Sequence, residues 1–213
     1  MPVYNEEDSV LEIIERVKAA PVPKEIIIVD DCSHDNTPAL LRQVPDVKLF
    51  VHQVNQGKGA AIRTGLAHAA GEIILIQDAD LEYDPADYPQ LLAPFVNPKV
   101  AAVYGSRFKG KGNFLFLSRV ANLFLTILTN ALFGGKVTDM ETGYKLIRRE
   151  LIAKLNLGAR GFEIEPEVTA KILRHRWRMV EVPIKYQARS AGKKIGWQDG
   201  LTAIYTLLKI YVS

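Results

Sequence analysis

Three short apolar runs, at 26–29, 47–51 and 73–76, are spaced by helix-length segments, and this alternation constrains the chain most. The runs at 26–29 and 73–76 are unbroken, while Lys48 interrupts the one at 47–51; each ends in polar residues, as a strand buried in a parallel sheet does. Between them, Val10, Leu11, Ile13, Ile14 and Val17 recur at helical spacing before Pro21 and Pro23. Asp35, Asn36 and Thr37 can cap a helix through Leu40 and Leu41, and a small-residue helix fits 60–70. Strand and helix alternating at this spacing predict an α/β fold with a mostly parallel, Rossmann-like sheet flanked by helices.

Right-handed crossovers bring the carboxyl ends of such strands to one edge, where ligands gather in open α/β sheets. That edge is expected to carry Tyr4-Asn5-Glu6, Asp30-Asp31 and Gln77-Asp78-Ala79-Asp80. Converging acidic loops repel one another unless a cation sits among them. Asp78 and Asp80, one residue apart, can both aim oxygens at a hard divalent ion of the kind held by one or two carboxylates plus substrate phosphates. A solvated acidic turn is the alternative reading of the same residues.

The 213 residues, 48% of them hydrophobic, suffice for one sizeable core, and a single domain spanning 1–213 is expected. A formal net charge of +3 is too small to argue for nucleic acid, and suits an anionic substrate or membrane surface. The single cysteine, Cys32, excludes an intrachain disulfide and fits a reducing compartment. The opening residues lack the pattern of a signal peptide.

Beyond Pro85 a helix is expected over 86–95 and a strand over 100–104, then Gly105-Ser106-Arg107 and a flexible basic loop at 109–112. Segment 113–134 is rich in Phe and Leu but interrupted by Arg119, Asn122 and Asn130. It reads either as a membrane-interface helix or as a buried core or dimer helix. Helices are expected at 149–155, at 167–174 after Pro166, and at 197–212. A strand is expected at 179–183 and a basic loop at 186–194. His34, His52, His68 and His175 show no metal-ligand spacing and read as surface or packing residues. Gly57-Lys58-Gly59 lacks the spacing of a phosphate loop.

Pro2-Val-Tyr-Asn-Glu-Glu7, Val29-Asp-Asp-Cys-Ser33 with Asp35-Asn-Thr37, Asn55-Gln-Gly-Lys-Gly59 and Gln77-Asp-Ala-Asp80 resemble, in order, the nucleotide-binding half of family 2 glycosyltransferases. Gly105-Ser-Arg107, Asp139-Met-Glu-Thr-Gly-Tyr-Lys145, and Glu181-Val-Pro-Ile-Lys-Tyr186 with Gly192-Lys-Lys-Ile-Gly196 are similar to the dolichyl- or polyprenyl-phosphate sugar synthases. The resemblance implies a GT-A fold and an inverting, metal-dependent transfer of a hexose from a nucleotide sugar, of the GDP-mannose or UDP-glucose type, to a polyprenyl or dolichyl phosphate.

Position by position, it implies that Pro2, Tyr4 and Glu6 line the base and ribose pocket and that Asp30 contacts the nucleoside. Asp78 and Asp80, with Gln77 beside them, hold Mg²⁺ or Mn²⁺ on the diphosphate; Ala79 and Lys58 lie near the donor. Arg107, Arg119, Arg189 and Lys193 are the candidates for the acceptor phosphate, since guanidinium matches phosphate oxygens bidentately. Asp139 either acts as a base or orders the Thr142-Gly143 turn. A lipid acceptor implies peripheral attachment to the cytoplasmic face of a membrane. The family's usual strand before Pro2 is missing from this sequence, and supplying one is expected to raise the melting temperature.

Three other readings compete: transfer to a glycan hydroxyl, a phosphatase using Asp78 as nucleophile, and a non-catalytic nucleotide-sugar-binding protein. Leu81 stands where such phosphatases usually carry Thr.

Overall fold

The structure, a computed structural model, describes residues 1–113, 116–188 and 196–213. Its first half follows the expected alternation: β1 (Pro2–Val3), α1 (Val10–Ala19), β2 (Ile27–Asp30), α2 (Thr37–Leu41), β3 (Lys48–Val51), α3 (Lys58–His68) and β4 (Ile73–Leu75). The α1 stripe is buried at Val10, Ile13, Ile14 and Val17, while Leu11 lies outside it. β1, β2 and β3 form a parallel sheet with β2 central, pairing Pro2 with Val29 and Asp30 with Val51.

β4 departs from expectation. Its neighbour is β6 (Lys145–Arg148), and they run antiparallel in a second sheet of order β4-β6-β5-β7, completed by β5 (Val100–Asn113) and β7 (Arg178–Gln187). Its three residues are half-buried rather than sealed on both faces. β6 was hidden in the sequence because its four residues run straight into the helical segment α6 (Arg149–Ile152). The helix expected over 86–95 is reduced to α4 (Tyr88–Leu92) between two single 3₁₀ turns.

β5 (Val100–Asn113) runs far past Tyr104, and the segment 109–112 is strand rather than flexible loop. It pairs in parallel with β7 (Arg178–Gln187), resuming at Lys111 and Lys185 after a slip beyond Ser106. The glycines that suggested flexibility serve close backbone approach: a Cβ on Gly110 would lie 1.8 Å from the Ile184 carbonyl oxygen, and one on Gly112 2.8 Å from that of Tyr186. β7 likewise includes Tyr186 and Gln187, which the sequence placed in a loop; Pro183 is tolerated because β7 is an edge strand.

α7 (Ile164–Arg174) starts before Pro166 and holds that proline in its first turn, where the missing N–H donor has no intrahelical partner to lose. α5 (Phe116–Phe133) and α8 (Trp197–Val212) pack together around Leu125, Ala203, Leu207 and Ile210. On α5 only Leu125, Thr126 and Thr129 are buried, so the buried-core reading of this helix fails. Phe116, Leu117, Val120, Leu123, Phe124 and Ile127 are exposed, as are Trp197, Leu201, Tyr205 and Leu208 on α8.

Candidate active site

The loops after β1, β2 and β4 do converge, and short polar contacts stitch them. Asn5 and Glu7 exchange hydrogen bonds with the segment 33–36, through Ser33, His34, Asp35 and Asn36. Ser9, placed to cap α1, turns its hydroxyl to lie between Glu6 Oε2, at 2.9 Å, and the Ala79 carbonyl oxygen, at 3.0 Å. Glu6 and the Gln77–Asp80 loop are thereby tied. Pro2 pairs with Val29 in β1, and Tyr4 follows it, half-buried.

The two aspartates after β2 divide their work. Asp30 is fully buried; its Oδ1 accepts from the amide and hydroxyl of Ser33, and its Oδ2 is sealed with no partner among the described residues. Asp31 faces the glycine loop, accepting from the amides of Gln56 and Gly57 at 2.9 and 2.7 Å and contacting His52 Nδ1 at 2.6 Å. His52 reaches Thr64 with its other nitrogen, so it is a built-in part of this loop rather than a surface histidine.

The glycine loop itself is no phosphate cradle. The amides of Gly59 and Ala60 donate to the carbonyls of Gly161 and Arg160. A Cβ at Gly57 or Gly59 would lie 2.5 or 2.6 Å from backbone carbonyl oxygens of Arg160 or Ala159. The glycines therefore let the start of α3 press against the segment leading into α7, and this sets Lys58 in place.

Lys58 is the cation that the converging carboxylates require. Its Nζ lies 2.7 Å from Asp78 Oδ1 and 2.9 Å from Glu165 Oε1, and Lys145 closes on the other oxygen of Glu165. Burial pulls the Lys58 ammonium down, but Asp78 and Glu165 outweigh it and hold it charged well above the ordinary lysine range. Lys145 is fully buried and also donates to the Thr142 carbonyl. Between these charges and the Arg107 pair, burial pushes the Glu141 carboxyl up to about 7. Glu141 Oε1 has no hydrogen-bond partner among the described residues.

Arg107 and Asp139, expected in separate roles, form one unit. The carboxylate of the fully buried Asp139 accepts from the Arg107 amide at 2.9 Å, from Nε at 2.8 Å and from an η nitrogen at 2.7 Å. Glu181 orders the preceding turn, accepting from the amides of Thr138 and Asp139 and pairing with Lys109 at 2.9 Å. The unit adjoins Asp78 through packed rings. Arg107 stacks 5.1 Å over Tyr186, Tyr186 packs on Tyr83, and the Tyr83 hydroxyl accepts from the amide of Gly143. Gly143 in turn abuts Asp78.

Placement of the remaining expected residues is mixed. Gln77 is buried, its side-chain oxygen taken by the Tyr88 hydroxyl at 2.6 Å and its amide by the Asp78 carbonyl. The atom that a metal would need is thus turned into the core, which removes Gln77 from the ligand set. Arg119 lies on the exposed side of α5 near Phe116 and Leu123. Arg189 and Lys193 lie outside the described residues. Glu165 was not singled out, and Lys145, Glu181 and Gly143 were named only within motifs or a turn, without a role in the site. Glu165 left a signal, since it shares a helix face with the buried Val168 and Ile172, where a carboxylate needs a partner.

Asp78 and Asp80 are carboxylates of the type that would hold a divalent cation together with a diphosphate, and Asp80 Oδ1 accepts from the Glu82 amide at 3.1 Å. A Cβ on Gly143 would lie 2.6 Å from Asp78 Oδ2, so the glycine preserves a cradle for that oxygen, and Lys58 is a cation already on the other. Among the described residues no group of three or more His, Cys, Asp or Glu side chains could hold a metal unaided. Two carboxylates leave the remaining ligand positions to substrate oxygens and water, the pattern typical of Mg²⁺ on phosphates.

The parallel sheet, the mixed sheet beside it and the carboxylates at their shared edge define a GT-A glycosyltransferase. Residues 1–155 match the model of glycosyl transferase family 2, and the chain belongs to that family. The polyprenol monophosphomannose synthase of Mycolicibacterium smegmatis is 30% identical over 90% of this chain and 77% of its own length. The UDP-N-acetylglucosamine–dolichyl-phosphate N-acetylglucosaminyltransferase of Methanococcus voltae is 28% identical over 99% of this chain and 94% of its own. Against the dodecaprenyl-phosphate galacturonate synthase of Rhizobium johnstonii, 29% identical, the chain spans 64% of the relative's length. Glucosyl-3-phosphoglycerate synthase from Mycobacterium tuberculosis, solved with Mn²⁺, UDP and glucosyl-3-phosphoglycerate, shares the fold. Its TM-score is 0.75 at 23% identity, covering 99% of this chain and 78% of that one.

Proposed function

We propose that this chain transfers a sugar from a nucleoside-diphosphate sugar to a polyprenyl phosphate at a membrane surface. One observation carries the choice of acceptor: the Asp139 carboxylate is sealed and held by three donors of Arg107, so it is not poised to deprotonate a hydroxyl. A phosphate is already an anion and needs a cationic seat rather than a base. The three relatives whose names give polyprenyl-linked acceptors point the same way.

In this reading Asp30 contacts the nucleoside once donor binding opens access to its orphaned Oδ2, and Glu6 with Tyr4 borders the same pocket. Asp78 and Asp80 hold Mg²⁺ or Mn²⁺, which when bound supplies positive charge to the departing diphosphate. Lys58 adds a second positive charge beside Asp78, where negative charge develops on the leaving group. Arg107, fixed in orientation by Asp139 and Tyr186, seats the acceptor phosphate in line with the sugar. One phosphate oxygen attacks the anomeric carbon as the bond to the nucleoside diphosphate breaks, inverting that centre.

The apolar faces of α5 and α8, with Trp197 and Tyr205 among them, are the proposed membrane contact on the cytoplasmic side, and Arg119 suits anionic headgroups there. α5 is long and apolar enough to cross a membrane by length and composition. Here α5 lies in the interface, packed against α8.

The test offers labelled UDP- and GDP-sugars with a short polyprenyl phosphate, or with the matching polyprenol, and counts label in the organic phase. Label entering only with the phosphate is expected. Equal transfer to the free alcohol would overturn the choice of acceptor and return Asp139 to the role of base.

A further inference from the structure

Lys58 occupies the carboxylate that a metal would use. Its Nζ is 2.7 Å from Asp78 Oδ1, and its second anchor, Glu165, keeps a partner of its own in the buried Lys145. Lys58 is held from behind as well, since the start of α3 is pinned both to Asp31 and to the backbone at 160–161. It is therefore a cation fixed at the mouth of the site, not a surface lysine that wanders in.

We propose that Lys58 makes metal binding conditional on the donor: it neutralises Asp78 while the site is empty and yields that carboxylate when a diphosphate offers its ammonium a replacement partner. The inference rests on Asp78 and Asp80 being the metal's carboxylates. Its physical basis is competition. Two cations on one carboxylate repel each other, and a partly buried carboxylate stripped of a counter-charge attracts a new one. Among the described residues no third such side chain joins Asp78 and Asp80, so a divalent ion binds poorly while one of the two is occupied. A diphosphate brings anionic oxygens for both cations at once. Donor and metal then bind with positive coupling, and by linkage each strengthens the other equally.

The consequence is an order of events. A metal bound ahead of the donor would neutralise Asp78 without activating anything. Lys58 discourages that state and reserves the site for the complete donor–metal pair.

Mn²⁺ is the probe, titrated by calorimetry or by the electron paramagnetic resonance signal of the free ion, with and without UDP. Wild-type protein should bind Mn²⁺ about tenfold or more tightly with UDP present. Lys58→Met and Lys58→Gln should bind Mn²⁺ alone more tightly than wild type, with the gain from UDP reduced. Gln retains a donor for Asp78 and guards against a folding defect in the Met variant. Mn²⁺ binding to wild type with equal affinity in the presence and absence of UDP overturns the inference without any variant. If UDP tightens Mn²⁺ in every protein but neither variant binds Mn²⁺ alone better than wild type, the inference fails and the metal site stands. If no protein binds Mn²⁺ even with UDP, the metal reading of Asp78 and Asp80 falls, and the inference with it.

Discussion

Treating Arg107 and Asp139 as one unit has a measurable cost. Asp139 is fully buried and accepts three hydrogen bonds of 2.7–2.9 Å from Arg107, two of them from the guanidinium. Removing one partner of a buried pair strands the other charge and costs about 3–5 kcal/mol. For a chain of this size each kcal/mol moves the melting temperature by about 2–4 °C, so Arg107→Met or Asp139→Leu alone should lose roughly 6–20 °C. The double variant strands no charge. Its remaining defect is the Arg107 amide, which loses its acceptor at about 1–3 kcal/mol. It should therefore be no less stable than the worse single variant, read by thermal melts and urea titration of all four proteins. The transfer assay should run in parallel, with Arg107→Gln, Asp139→Asn and their combination losing activity to similar extents. Single effects that add to within about 0.5 kcal/mol would refute the coupling. A stable Asp139→Asn with no activity, beside an active Arg107→Gln, would make Asp139 the base after all.

Other consequences are more local. Gly143→Ala puts a methyl group 2.6 Å from Asp78 Oδ2 and 3.1 Å from the Tyr83 ring, which should cost about 1–3 kcal/mol of stability and weaken UDP binding measured by calorimetry; unchanged affinity would separate Gly143 from the donor site. Glu141 has its carboxyl raised from 4.5 to about 7, so between those pH values the folded state keeps a proton that the unfolded state releases, and stability falls as pH rises through that window. Glu141→Gln should remove about 1–3 kcal/mol of that fall, seen in melting temperatures from pH 4.5 to 8, and an unchanged slope would contradict it. Replacing Leu117 and Phe124 with Ser should leave the fold intact, because both are exposed, and reduce sedimentation with anionic vesicles; undiminished binding would move the membrane contact off α5.

The periodic elements were the legible part of the chain. Segment 197–212 forms the helix its pattern announces, and the α1 stripe is buried where helical spacing puts it, because burial of one face determines both. β6 and the far half of β5 were not legible. Pairing between distant strands, rather than local pattern, makes Lys145–Arg148 a strand, and the glycines that lower strand propensity at 110 and 112 are required by the approach of β7. The acidic loops of the site could be read, since each ends an apolar run. Their counter-charges were harder, because Lys58 meets Glu165 across more than a hundred residues of sequence, and nothing local marks Asp139 as already committed to Arg107. Gln77 misled through adjacency: it neighbours Asp78, but side chains alternate along a strand end, and its oxygen faces Tyr88.

The most direct test of the account is transfer of labelled sugar from its nucleotide donor to polyprenyl phosphate in vesicles, with Mn²⁺ or with excess EDTA, for wild type and for Asp78→Asn. The account predicts lipid-extractable product from wild type with Mn²⁺ only, restored when metal is added back, and little or none from Asp78→Asn. Product formed equally well in EDTA, or by Asp78→Asn, would contradict it.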